Sequence, residues 1–290
     1  MKWEGNRESD NVEDRRGDGG GGGGFGIGGG SLSIGTVVIA VVASLLFGVN
    51  PLSILSMLSG GSGQMTQVQP AHQPPANDRT TKFVKTVLAD TEDTWTALFR
   101  ERGATYVDPH LVLFSGRTPT ACGMGATATG PFYCPGDQKI YIDLSFYRLM
   151  RERFGVSGEF AQAYVIAHEV GHHVQNLMGI SEKVENARRG MSERQANAMS
   201  VRLELQADCF AGIWANHANQ ARHILESGDV ETALNAASAI GDDALQRQAR
   251  GEVVPDSFTH GTSAQRVRWF KRGIESGKIA ACNTFQARQL

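Results

Sequence analysis

The chain has 290 residues, 41% of them hydrophobic, and a net charge of −2. That length allows one sizeable core with appendages. The slightly acidic balance, with no run of Lys and Arg, excludes the electrostatic footprint of a nucleic-acid binder, so no nucleic-acid partner is expected.

Composition changes along the chain. Residues 1–18 are charged and polar, and no Asp, Glu, Lys or Arg lies between Asp18 and Asp78. Gly19 to Gly30 is nearly all glycine, which cannot bury enough apolar surface to offset its backbone entropy. Residues 1–30 are therefore expected to form a disordered N-terminal segment. Residues 31–58 hold an uncharged apolar run from Ile34 to about Leu55. About 20 apolar residues in a helix cross a ~30 Å hydrocarbon layer, so a transmembrane signal anchor is expected over 31–58. Asn50-Pro51 marks its exit or a kink. The alternatives are a buried helix of a soluble domain and a cleaved signal peptide. The second has an apolar core of only ~7–15 residues close to a basic start, whereas this run is long and begins late. Arg15 and Arg16 precede the span, and no Lys or Arg follows it before Arg79. The positive-inside rule then predicts a single-pass membrane protein with a cytoplasmic N-terminus and an extracytoplasmic C-terminal domain. Residues 59–81, rich in Gly, Ser, Gln and Pro, read as a tether.

Residues 82–290 read as one domain. Helical spacing covers Phe83 to Arg102, and His110 to Phe114 is a strand candidate. Gly116 to Gly136 reads as loop with a short strand at Ala126–Thr129. Lys139 to Leu144 alternates like a strand with one buried face. Helices are expected over Phe160–Met178, Ser192–Gln220, Val230–Arg250 and Ser263–Glu275. A few short strands followed by several helices predicts an α+β, mainly helical fold.

The chemistry lies in Ala167-His168-Glu169-Val170-Gly171-His172, inside an apolar helical pattern. His168 and His172 stand one turn apart on one face, where two imidazoles can chelate one Zn²⁺. Glu169 lies about 100° around the axis, unable to be a third ligand but able to reach a water at the metal as general base. Gly171 is small where a metal or substrate must come close. A catalytic zinc needs three protein ligands and an open position. Glu204 of the segment Glu204-Leu205-Gln206-Ala207-Asp208 can be the third, with Asp208 one turn on to accept the outer ring N–H of a ligating histidine. Asp208 as the ligand itself is the runner-up. His217 and His223 are weaker candidates, and His173 faces elsewhere. The alternative for the Glu204/Asp208 pair is an exposed acidic pair.

The segments HEVGHHVQ, ELQADCFAG, FTHGTSAQR and GPFYCPGDQKIYIDLSF together resemble the Putative neutral zinc metallopeptidase family, membrane-anchored bacterial proteins, over roughly Lys82 to Phe285. The resemblance implies a zincin-like peptidase domain with a gluzincin-type site: His168, His172 and Glu204 on one zinc per chain and Glu169 as base. The Thr259-His260-Gly261-Thr262 segment, with Arg266 downstream, is similar to the Thr-His-Pro segment of other membrane gluzincins, with Gly261 in place of proline. His260 can donate a hydrogen bond to the oxyanion of the tetrahedral intermediate; the alternative is a solvated histidine in a helix-capping loop.

Cys122, Cys134, Cys209 and Cys282 form no CxxC pair. If the domain is outside the cytoplasm two disulfides are expected: of the three possible pairings, local pairing favours Cys122–Cys134, which leaves Cys209–Cys282; free buried thiols are the alternative. The expected function is zinc-dependent hydrolysis of extracytoplasmic proteins or peptides. A membrane-anchored binding or scaffold protein that keeps a structural zinc is the alternative, and an intact base, Glu169, argues against it.

Overall fold

The computed structural model describes residues 1–17, 78–126 and 130–290. The expected Gly-rich linker, apolar span and most of the tether lie outside the described residues. Strand β1 is Val12–Asp14, and helix α1 is Arg79–Glu101. The strands β2 (His110–Phe114), β3 (Arg117–Thr120), β4 (Gly123–Ala126), β5 (Phe132–Cys134) and β6 (Lys139–Asp143) follow. The helices α2 (Ser145–Phe154), α3 (Glu159–Leu177), α4 (Ile180–Arg188), α5 (Glu193–Arg222), α6 (Asp229–Ala239), α7 (Asp242–Arg250) and α8 (Ser263–Ser276) complete the chain. The fold is mainly helical α+β.

One sheet runs in the order β1-β2-β6-β5, and β3 and β4 form a separate hairpin. β1, β2 and β6 are parallel, and β5 is antiparallel at the edge. The sheet carries Leu111, Leu113, Ile140 and Ile142 into a core shared with Phe160 and Tyr164 of α3 and Phe210 and Trp214 of α5. Cys122 and Cys134 form a disulfide (Cα–Cα 5.8 Å) that ties the β3–β4 hairpin to β5. Cys209 and Cys282 form a second (Cα–Cα 5.6 Å), closing a 73-residue separation between α5 and the C-terminal tail.

Two close helix contacts set the geometry of the site. A Cβ on Gly171 would stand 3.0 Å from the carbonyl oxygen of Ala207, so α3 and α5 meet backbone to backbone there. Gly171 therefore serves helix packing, and the neighbour that comes close is α5, where the sequence suggested a metal or substrate. Gly212 of α5 faces α8 in the same way: a Cβ there would fall 2.2 Å from the Phe270 carbonyl oxygen. Any larger residue at either place forces the helices apart.

Several expectations are corrected. Residues 1–17, expected to be disordered, are built into the domain: β1 extends the sheet and Trp3 is 5% exposed. The polar composition misled because this segment is held by specific side-chain pairs as much as by apolar burial. α1 starts at Arg79, inside the expected tether, because Asp78 caps it by accepting the Thr81 N–H at 2.8 Å. The helix expected over Val230–Arg250 is two helices. Asp242 breaks it by accepting the backbone N–H groups of Thr259, His260 and Gly261. α2, α4 and the three strands β3, β4 and β5 fall where loop or nothing was expected.

The single-pass membrane placement is also corrected. Among the described residues no helix is long and apolar enough to cross a membrane. The span expected over 31–58 lies outside the described residues. The expected placement put residues 1–17 across a bilayer from the domain, yet they are part of its sheet.

Candidate metal centre

α3 and α5 cross where Gly171 meets Ala207, and the crossing brings His168, His172 and Glu204 together. Each offers one donor atom, and these atoms lie within 4.8 Å of one another. His168 Nε2 is 3.2 Å from Glu204 Oε2, and His172 Nε2 is 3.4 Å from Glu204 Oε1. The opposite ring nitrogens are already engaged. His168 Nδ1 donates to Asp208 Oδ1 at 2.8 Å, and His172 Nδ1 donates to Gln175 Oε1 at 2.9 Å. With Nδ1 engaged, each ring turns Nε2 toward Glu204, and Nε2 is the nitrogen a metal would take once its proton is released. Two imidazoles and one carboxylate, with engaged outer nitrogens, are a donor set that fits zinc.

Gln175 was missed as a partner of His172. It is fully buried, donating to the Leu203 carbonyl at 2.7 Å and to Gln206 at 3.2 Å. Its signal in the sequence was there, because i and i+3 share a helix face. Asp208 does not point at the converging nitrogens. Its Oδ1 takes His168, the Tyr164 hydroxyl at 2.6 Å and Arg266 Nη2 at 2.8 Å, while Oδ2 takes Arg266 Nε at 2.9 Å. Arg266 is 3% exposed and occupied by this pairing.

Among the described residues, His173, His217 and His223 lie outside the donor set. His217 Nε2 donates to the Gly277 carbonyl at 2.8 Å, and His223 ends α5 in the left-handed conformation. His173 is fully buried, donating through Nε2 to the Val107 carbonyl at 2.7 Å and accepting through Nδ1 from the Tyr133 hydroxyl at 3.0 Å. His260 faces the same cleft as the donor set. Its Nδ1 is 3.2 Å from Asp242 Oδ1.

The cleft has a volume of about 660 Å³ and is lined by Glu169, by Phe132 and Tyr133 of the edge strand β5, and by apolar side chains including Phe146, Val165 and Leu203. Of the strand expected at Ala126–Thr129, the described residue Ala126 is the last of β4. Ala126 pairs with Arg117 in the hairpin, residues 127–129 lie outside the described residues, and β5 is the strand at the cleft.

Electrostatics follow from burial. Burial pushes the Glu169 carboxyl up from its ordinary value. For His168, burial acts downward but Asp208 and Glu204 outweigh it and hold the ring up at about 10. Glu204 goes the other way: burial raises it, and the facing His172, His168 and His260 bring it well below the ordinary carboxylate value. Burial also opposes Asp208, but Arg266 and His168 bring it to about 2. His260 is raised, because Asp242 and Glu204 outweigh its burial.

The model of the Putative neutral zinc metallopeptidase family matches residues 1–285. The chain belongs to that family. It is 51% identical over 286 residues to the uncharacterized protein YpfJ of Escherichia coli (strain K12), covering 98% of this chain and 99% of that one. It is 40% identical over 219 residues to the uncharacterized protein Rv2575 of Mycobacterium tuberculosis (strain ATCC 25618 / H37Rv), covering 72% and 73%. No solved structure matches the chain. The family match includes the N-terminal residues that the sequence resemblance left out.

Proposed function

We propose that the chain is a zinc-dependent peptidase that hydrolyses peptide bonds of proteins or peptides. The observation that carries this reading is the pair of Nε2 atoms of His168 and His172 turned toward Glu204, with the buried Glu169 lining the same cleft. His168, His172 and Glu204 are the metal ligands in this reading. Zinc held there supplies Lewis acidity, polarising the scissile carbonyl and easing deprotonation of water.

The chain's own residues do the rest. Glu169 takes the proton of the attacking water and later hands it to the leaving amine; its raised affinity for protons suits a group that must both accept and donate. Asp208 and Gln175 keep the ligand rings in the tautomer that leaves Nε2 free. His260, its Nδ1 against Asp242, donates through Nε2 to the oxyanion. Tyr133 and Arg266, which also line the cleft, are engaged elsewhere: Tyr133 donates to His173, and Arg266 pairs with Asp208. The edge strand β5 offers an extended substrate backbone a pairing partner at the cleft wall.

The test is zinc analysis together with turnover of an unfolded protein. This reading expects about one zinc per chain and hydrolysis that stops with chelator and returns with zinc. Stoichiometric zinc without turnover favours a non-catalytic zinc protein instead.

A further inference from the structure

Residues 1–17 take no part in the site above, yet they reach across the domain from the sheet edge to α3. β1 lies in register with β2, Val12 opposite Leu111 and Asp14 opposite Leu113. Leu111 N–H donates to the Asn11 carbonyl at 2.8 Å, and Arg15 N–H donates to that of Leu113 at 2.7 Å. At the other end Lys2 N–H donates to the Ile224 carbonyl at 2.8 Å. Trp3 meets Phe83 edge-on, with centroids 5.4 Å apart, and its indole N–H donates to Glu159 at 2.8 Å. Glu159 is the first residue of α3, so this contact holds the N-terminal end of the helix that carries His168, Glu169 and His172.

The receiving surface is built for this segment. Glu92 of α1 is 4% exposed, and its hydrogen-bond partners among the described residues come from the segment: Ser9 at 2.5 Å, Asn11 at 2.9 Å and Arg7 at 2.9 Å. With the segment removed, Glu92 would lose all three of these donors. The edge of β2 would also stand open, an invitation to pairing with another chain. Arg16 is 7% exposed and closes the far end, bonding Asp14, Asp78 at 3.0 Å and Thr81 at 2.7 Å at the start of α1.

We propose that the edge of β2, with Glu92 and Glu159, is a docking site for the chain's own segment Trp3–Arg16, and that segment and domain work in one compartment. The ligand is an extended strand with an aromatic anchor at one end and a guanidinium at the other. A single membrane crossing between residues 17 and 78 would hold the two on opposite faces and withdraw the strand. The inference does not depend on the peptidase reading, since it concerns only the sheet and its edge.

Two experiments on the full chain test it. Glu8 and Glu193 are both exposed. Glu8→Cys and Glu193→Cys, made singly, are treated with a membrane-impermeant maleimide on intact cells and again after permeabilisation. The proposal expects the two positions to behave alike, both labelled or both protected; labelling of one with protection of the other overturns it. In the second, a protease site is introduced between residues 18 and 77 and the purified chain is cut. The N-terminal fragment should co-elute with its own domain, and Trp3→Ala with Arg16→Ala should speed its release at least ~10-fold. Immediate loss of the unaltered fragment, release indifferent to the two substitutions, or co-elution only as a strand-exchanged dimer overturns docking within the chain. The labelling result stands even if the double variant fails to fold.

Discussion

Asp208 accepts the Nδ1–H of His168 at 2.8 Å and pairs with both Nε and Nη2 of Arg266. One buried carboxylate thus orients a ring at the candidate metal centre and ties α8 to α5. The close packing at Gly212 makes that reach possible, since α8 must lie against α5 for Arg266 to meet Asp208.

Replacing Asp208 with Ala should therefore have two effects. Zinc should bind about 10–100-fold more weakly, because the ring loses its orienting partner. The fold should lose roughly 3–5 kcal/mol, because Arg266 is left buried and unpaired. Chelator competition and thermal melting check these. Glu204→Ala separates the two acids, since it should abolish stoichiometric zinc while costing less stability. Tight zinc in Glu204→Ala and its loss only in Asp208→Ala would make Asp208 the ligand.

Zinc binding should strengthen as pH rises. His168 is held at about 10 in the metal-free chain, so at neutral pH its ring carries a proton that a metal must displace. Competition titrations between pH 6 and 8 should show affinity rising up to about tenfold per pH unit for each proton released. A flat profile would contradict the arrangement.

Acid stability should report on Asp208. Its folded value, about 2, lies below the ordinary 3.8. A lowered carboxylate stabilises the fold above its unfolded value and loses that contribution as pH falls through the folded one. Roughly 2 kcal/mol should disappear between about pH 4 and 2. Denaturant midpoints across that window should fall in the parent chain, and fall less in Asp208→Ala.

His260→Ala should lower kcat by roughly 10²–10³ with zinc content and melting temperature unchanged, because the lost donor acts in the transition state. Asp242→Ala should lower kcat as well and also destabilise the turn, since it strips the acceptor from three backbone N–H groups. A fall in zinc with His260→Ala would put that ring among the metal's supports.

Much of the centre was legible because its signals are local. His168 and His172, and Glu204 and Asp208, are i, i+4 pairs on apolar helices, and periodicity alone sets their facing. The partners Gln175 and Arg266 were harder: one needed the rotamer at His172, the other the crossing of α5 and α8. The cleft strand β5 was hidden by its three-residue length and by the flanking Pro131, Pro135 and Gly136. Residues 1–17 were the largest miss. Their order depends on Glu92 and Glu159, some 80 and 150 residues away, and composition carries no trace of such long-range pairs.

Glu169→Gln tests the central claim most directly. The substitution keeps the side chain's size and leaves His168, His172 and Glu204 intact, so only proton transfer is removed. Zinc content and hydrolysis of an unfolded protein are measured on the same preparation. The account predicts one zinc per chain, as in the parent, with the rate down by about 10²–10⁴. Turnover close to that of the parent at full zinc occupancy would contradict it.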